Sequence, residues 1–348
     1  MALVRSIRFA VLALAVLAVL SCTPRAYDAT RLGLDLAQAG ALEAARIATR
    51  EPVAYTVERR EATGDLYQPI GRVAEGALVL VAGADRVGKD HPLFVAFASA
   101  LARAGFTVLV PEIANLRSLR IRRGDEVLVA DAVEWLGTRQ GKPVALAGVS
   151  YAVGPALLAA LDPRVSDRIS FVLGIGGFHD LGRVVAGLRN PYGKWLFASA
   201  NGDTVDDPAD RSTLQAIAAR KLADLDADVA DLFNRLGPEG RAVYAILDTQ
   251  DASRAEALVA ALPRRLREEI AGLTLKGRDF GRLKAPLILV HGGDDPLIPP
   301  EESVALAQAV GEKAELTLIE RMRHVELGGD WADVLRLWWV CWRVVGLR

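Results

Sequence analysis

The chain of 348 residues is long enough for one large α/β domain or two medium ones. Apolar residues make up 51% and charged residues 24%, which excludes wholesale disorder and provides for a sizeable core. Forty-two basic against 43 acidic side chains leave a formal charge of −1 and no global pull toward nucleic acid. Two cysteines, Cys22 and Cys341, are too few for a disulfide framework or a cysteine zinc site. No nucleic-acid partner, metal or cofactor is expected from these patterns.

The chain begins with Arg5 and Arg8 followed by an apolar run over residues 9–20 (FAVLALAVLAVL). Those 12 residues fall short of the roughly 20 needed to span a bilayer as a helix, and the pattern reads as a secretory signal. The run ends Val19-Leu20-Ser21-Cys22, which resembles the bacterial lipobox. That resemblance implies a signal peptide over 1–21, cut before a Cys22 that receives lipid. The domain is then exported and anchored to the cell envelope on its periplasmic face, holding to the membrane without spanning it. An ordinary cleaved signal (a secreted protein) and a retained N-terminal anchor are the alternatives. Cys341 lies in an apolar terminal stretch and is expected to be a buried, inert thiol.

Residues 22–52 read as an N-terminal linker and a helix over 30–50 that stops near Glu51-Pro52. Two short strands, 53–60 and 63–67, follow on either side of Glu61-Ala62. Residues 77–82 (ALVLVA), 107–110, 144–147 and 170–173 are apolar runs bounded by Gly or Pro, as strands buried on both faces should be. Helical patterns over 92–104, 124–136 and 151–161 alternate with them, the mark of βαβ units and a mostly parallel, doubly wound sheet. The rhythm breaks over 181–282, which is helical and amphipathic, and returns with 287–290 (LILV), a helix from Glu301, a strand at 315–319 and a helix from about Asp330. The α/β core thus comprises 53–180 and 283–348, with 181–282 inserted as a helical cap over the edge where open α/β sheets bind ligands. Tyr192, Trp195 and Phe197 are candidates for an apolar lip on that cap.

Four constellations carry chemistry. Gly148-Val149-Ser150-Tyr151-Ala152 follows a strand and opens a helix. A Ser on so tight a turn is held in strained backbone with its hydroxyl presented at the sheet edge. The turn needs small residues two before and two after, and Gly148 and Ala152 supply them. The helix N-terminus supplies the Tyr151 N–H for an oxyanion. A structural Ser at a βα turn is the plainer alternative. Here the sequence resembles the α/β-hydrolase superfamily and its G-x-S-x-G nucleophile elbow, with Ala152 in place of the last Gly. The second constellation, His291-Gly292-Gly293-Asp294-Asp295-Pro296-Leu297-Ile298-Pro299, resembles that superfamily's H-G-x-x-D-x-x-[IV]-P turn. Counting from His291 puts the triad acid at Asp295, with Asp294 the alternative, and both aspartates as mere turn formers the bland one. The third is His324, in the loop after the last strand, where the superfamily keeps its general base; Arg323 stands where Gly is common. The chain order Ser150…Asp295…His324 matches the superfamily's. The fourth is the loop after residue 82. By the resemblance, Ala84 gives the second oxyanion N–H.

That same loop, Gly83 to Asp90, nearly matches G-x-x-x-x-G-K-[ST]. Asp90 stands where a phosphate loop needs a hydroxyl for Mg²⁺, so Lys89, Asp90 and His91 are read as site rim or surface. His179-Asp180 either lines the pocket where the cap begins or is plain hydrogen-bonded loop, and the acidic Asp203, Asp206 and Asp207, with no neighbouring His or Cys, are read as a solvated loop and not a metal site.

The resemblance implies a serine hydrolase cleaving carboxylic esters through an acyl-enzyme on a Ser150–His324–Asp295 triad. An acyltransferase or thioesterase on the same triad, or a catalytically silent binding lipoprotein of this fold, are the alternatives.

Overall fold

The computed structural model describes residues 23–37, 48–120, 122–323 and 331–348. Residues 1–21, Cys22 and His324, on which the signal, lipidation and general-base expectations fall, lie outside the described residues.

In chain order the described elements are α1 (Pro24–Ala37), β1 (Ala48–Val57), β2 (Arg60–Pro69), β3 (Gly76–Val81), α2 (Pro92–Arg103), β4 (Phe106–Pro111), α3 (Ala114–Arg117), α4 (Asp125–Gln140), β5 (Val144–Val149), α5 (Val153–Ala160) and β6 (Ile169–Ile175). The inserted segment contributes α6 (Leu181–Gly187), α7 (Pro191–Ala200), α8 (Pro208–Ala223), α9 (Ala230–Phe233), α10 (Pro238–Asp248), α11 (Ala255–Ala261) and α12 (Arg264–Leu273). The chain then returns with β7 (Leu287–Gly292), α13 (Pro300–Val310), β8 (Ala314–Ile319) and α14 (Trp331–Gly346).

Eight strands form one sheet in the order β1-β2-β4-β3-β5-β6-β7-β8. β1 and β2 pair antiparallel, β2 pairs antiparallel with β4, and every pairing from β4 to β8 is parallel. β3, β4 and β7 are buried along their whole length, because helices cover both faces of the sheet. Their side chains alternate between two cores. Leu78 and Leu80 pack with α2, α14 and Leu32 of α1, whereas Val79 and Val81 pack with α4, α5 and the inserted helices.

Two expectations need correction. The helix expected over 30–50 ends at Ala37, and Ala48 already belongs to β1. Pro52 sits inside that strand without disrupting it, because β1 is the sheet edge and needs no donor there. The hairpin turns at Glu58-Arg59 and not at Glu61-Ala62. Both turn residues have positive φ, +46° and +70°, in a two-residue turn that usually calls for Gly or Asn, so its sequence signal is absent.

The insertion leaves and returns at one point. The His179 carbonyl accepts the N–H groups of Leu275 (3.0 Å) and Lys276 (2.9 Å), and Lys276 Nζ reaches Asp180 Oδ2 at 3.3 Å. Glu302 on α13, 4% exposed, fastens this junction to the core. Its Oε2 accepts the amides of His179 (3.1 Å) and Asp180 (2.8 Å), and its Oε1 accepts Arg183 Nε (3.1 Å). Glu302→Ala is expected to lower stability by roughly 1–3 kcal/mol in denaturant titration, because it leaves two partly buried amides without their acceptor. Limited proteolysis should then cut first near the junction, and Glu302→Gln, which keeps one acceptor oxygen, should lose less.

Candidate active site

β5 delivers Ser150 to the C-terminal edge of the sheet. Val149 is still extended, Ser150 turns to φ +57°, and a single 3₁₀ turn over Ser150–Ala152 leads into α5. This left-handed backbone is strained for any residue with a Cβ and persists only where its surroundings enforce it. Gly148 shows the enforcement. A Cβ there would lie 2.7 Å from the Ala152 carbonyl oxygen and 2.9 Å from Val153 Cα. Gly83 brings the β3–α2 loop close as well, though less tightly, since its Cβ would stand 3.0 Å from the Val149 oxygen and 3.2 Å from Ser150 Cβ. Ala84 and Tyr151 flank Ser150 on the wall of one cavity of about 1110 Å³.

The cavity wall is mainly apolar. Beneath the insertion it is formed by residues such as Phe178, Leu181, Val185 and Phe197. It continues over the sheet edge past Phe94 and Met322 to Leu36 of α1 and Leu337 of α14. Of the three aromatic side chains expected to form a lip, only Phe197 reaches it. Trp195 is buried against Tyr244, with ring centroids 5.7 Å apart, and Tyr192 is exposed.

After β7 the two aspartates part ways. Asp294 is exposed, while the Asp295 side chain is fully buried. Asp295 Oδ1 accepts the N–H groups of Leu297 (2.8 Å) and Ile298 (3.0 Å). Its Oδ2 lies 3.3 Å from His291 Nε2. His291 is itself committed. Nε2 donates to the Ile298 carbonyl at 2.9 Å, and Nδ1 lies 2.6 Å from the Ser303 hydroxyl, whose oxygen is also 3.4 Å from the Gly177 carbonyl. This imidazole therefore shapes the turn. The segment that leads toward residue 324 runs against the same turn, for a Cβ on Gly292 would overlap the Met322 carbonyl oxygen. Asp333 of α14 holds that segment, accepting the amides of Glu320 and Arg321 at 3.2 Å each.

The loop after β3 is no phosphate cradle. Asp85 Oδ1 already accepts the amides of Val87 (2.6 Å) and Gly88 (3.1 Å), the groups that would face a phosphate. Lys89 Nζ is taken by Asp65 at 2.8 Å, and Asp90 pairs with Arg50, while His91 lines the cavity. Asp203 pairs with Arg122 at 2.6 Å, and Asp207 caps α8 by accepting the Asp210 amide at 2.8 Å. Among the described residues no group of His, Cys, Asp and Glu could hold a metal ion. Cys341 is buried, and burial pushes its thiol up to about 12, in keeping with an inert role.

Two buried polar groups carry no local sequence signal. Lys194 of α7 is 3% exposed and lines the cavity. It donates to the carbonyls of Ala186 (2.9 Å) and Thr249, and desolvation pulls it down to about 8. Asp125, at the first turn of α4, accepts Asn115 Nδ2 at 2.8 Å through Oδ1, while Oδ2 has no hydrogen-bond partner. Burial raises its carboxyl to about 6, and its charge in turn helps raise the buried Tyr151 phenol.

No protein-family model matches the chain, and no curated protein matches it. A solved structure from Legionella pneumophila, provisionally assigned as a hydrolase, superimposes with a TM-score of 0.58 at 13% identity, covering 90% of this chain and 93% of that one. An esterase of Pyrococcus furiosus superimposes with a TM-score of 0.47 at 14% identity over 86% of this chain and 89% of its own. An α/β-hydrolase fold protein of Nakamurella multipartita gives 0.46 at 16% identity over 85% and 98%. With the sheet order and the strained strand-to-helix turn, the Legionella likeness defines the fold: it is the α/β-hydrolase fold with a helical cap insertion.

Asp125→Asn should stabilise the protein at neutral pH by about 1–2 kcal/mol, the cost of ionising a buried carboxyl less what the helix N-terminus returns. Below about pH 4 the carboxyl is protonated in both states and the substitution is neutral. The benefit should grow between pH 4 and 6, as the unfolded chain ionises first, and be complete above about 6. Urea titrations across that range measure it.

Proposed function

We propose that the protein is a serine hydrolase that cleaves carboxylic esters through an acyl-enzyme. The observation that carries this reading is Ser150, at φ +57° on the β5–α5 turn, opening onto an apolar cavity of about 1110 Å³. A hydrolase needs a hydroxyl exposed at a fixed point with backbone N–H groups beside it, and a strained turn at a helix N-terminus provides both. The fold shared with the Legionella protein is consistent with that use.

In this mechanism Ser150 Oγ attacks the ester carbonyl carbon while His324 takes its proton. The carbonyl π pair moves to oxygen, where the amides of Tyr151 and Ala84 hold the oxyanion. Its collapse breaks the bond to the alkoxy group, which leaves with the proton from His324. Water repeats the sequence on the acyl-enzyme and frees the acid and Ser150. Asp295 is the acid that orients His324 and stabilises its imidazolium. Its burial and the two amides on Oδ1 fix its plane, which the exposed Asp294 lacks. The mature chain acts in this reading as an exported lipoprotein, held at the envelope through Cys22.

Ser150→Ala should abolish ester hydrolysis and fluorophosphonate labelling with little change in melting temperature. Ser150→Gly should be equally inactive yet more stable than Ser150→Ala by about 1 kcal/mol, because glycine relieves the left-handed strain. Retained labelling in either variant would place the nucleophile elsewhere. kcat/KM should fall below about pH 6–7 as His324 gains a proton, and a profile flat to about pH 4 would exclude a histidine base. Across p-nitrophenyl esters from acetate to palmitate, turnover should peak at octanoate or longer, since the cavity is at the upper end of ligand-site volumes.

A further inference from the structure

The outer face of α14 is unusual for a helix that closes a domain. Its inner side, including Leu337, Val340, Cys341 and Val344, is buried in the core. Its outer side is also apolar. Trp331 is 75% exposed, Val334 56%, Leu335 47% and Trp339 52%, and the partly buried Trp338 continues the helical stripe. Four of the chain's six tryptophans fall on this one helix. α1 lies alongside and adds exposed Tyr27 and Leu34, with Arg31 between them. The two helices are locked into one surface. Trp338 Nε1 donates to Thr30 Oγ1 at 2.9 Å, and the Arg25 guanidinium stacks 4.3 Å over Trp342 while donating to its carbonyl.

From this face we infer a docking surface for a lipid bilayer. Isolated exposed apolar residues need no explanation, but a contiguous aromatic patch with arginine at its edge does. Indole and phenol rings prefer the membrane–water interface, and an apolar helical face laid in that interface buries its side chains among the acyl chains. What seats it there is the chain itself. The apolar run over 9–20 and Cys22 immediately precede Pro24, the first residue of α1. Any tether at that point therefore brings α1 and the adjoining α14 to the membrane first. A lipid on Cys22 would hold the chain at one point and leave its rotation free, whereas a second apolar contact gives the attachment an orientation. The inference takes its tether from the proposed anchor, but its face is independent of the Ser150 chemistry. It also gives the cavity a direction, because the wall that begins at Ser150 ends against the inner sides of these same two helices.

The test uses the full chain with vesicles of phosphatidylethanolamine and phosphatidylglycerol. Leu335→Cys and, as a control on the exposed surface of the insertion, Glu256→Cys each carry an environment-sensitive fluorophore. Unsubstituted protein taken through the same labelling serves as the blank for Cys22 and Cys341. Flotation reports attachment, and mass analysis of the N-terminal peptide reads Cys22 separately. The expected result is a blue-shifted emission at 335 on vesicle binding and none at 256. Trp331→Ser with Trp339→Ser should abolish that shift while the chain still floats. An unshifted 335 fluorophore on a floating chain overturns the docking surface and leaves the anchor standing. A chain that does not float overturns both. A shift at 335 with Cys22 unmodified keeps the docking surface and removes the lipid anchor.

Discussion

One backbone approach governs the site. At Gly148 the strand that carries Ser150 passes so close to Ala152 and Val153 that a single methyl group would not fit. Because that contact is made, β5 can turn into α5 without a loop, and because there is no loop, Ser150 is forced into left-handed backbone. Gly83, in the loop after the neighbouring strand β3, approaches the same turn, so the ends of β3 and β5 are referenced to one point. The position of Ser150 is thus set by the central strands β3 and β5, which are buried almost along their whole length, and not by a flexible connection.

The second half of the site is built on the return of the chain. β7 ends in a turn whose carboxylate, Asp295, is pinned by two amides, and His291 is immobilised beneath it by Ser303 and Ile298. The approach to residue 324 is referenced to that turn through Gly292 and to α14 through Asp333. α14 therefore has three roles at once: it closes the core, holds the backbone at Glu320 and Arg321, and presents the aromatic outer face.

Much of this was legible in the sequence for definable reasons. The central strands announced themselves because burial on both faces demands unbroken apolar runs, and the elbow because its steric need for small residues is local. The insertion was visible as a loss of strand rhythm. The hairpin turn was not, because Glu58 and Arg59 adopt positive φ without glycine. The strand start at Ala48 was hidden because an edge strand tolerates Pro52 and alternates weakly. Lys194 and Asp125 were invisible since a charged residue in a helical pattern reads as surface and only tertiary packing buries it, and periodicity did not say whether Phe197, Trp195 or Tyr192 faced inward.

The closed neck of the insertion has an evolutionary reading. The chain departs at His179 and is back within one hydrogen bond of it at Leu275 and Lys276, and Glu302 of the core grips the departing strand-end by its main chain. A segment whose two ends are already joined asks nothing of the sheet's register, and the entropy of closing it varies only slowly with its length. Such a neck is a graft point. The helices above it can be lengthened, shortened or exchanged wholesale while β6 and β7 stay paired, so the shape of the cavity roof is free to diverge faster than the sheet beneath it.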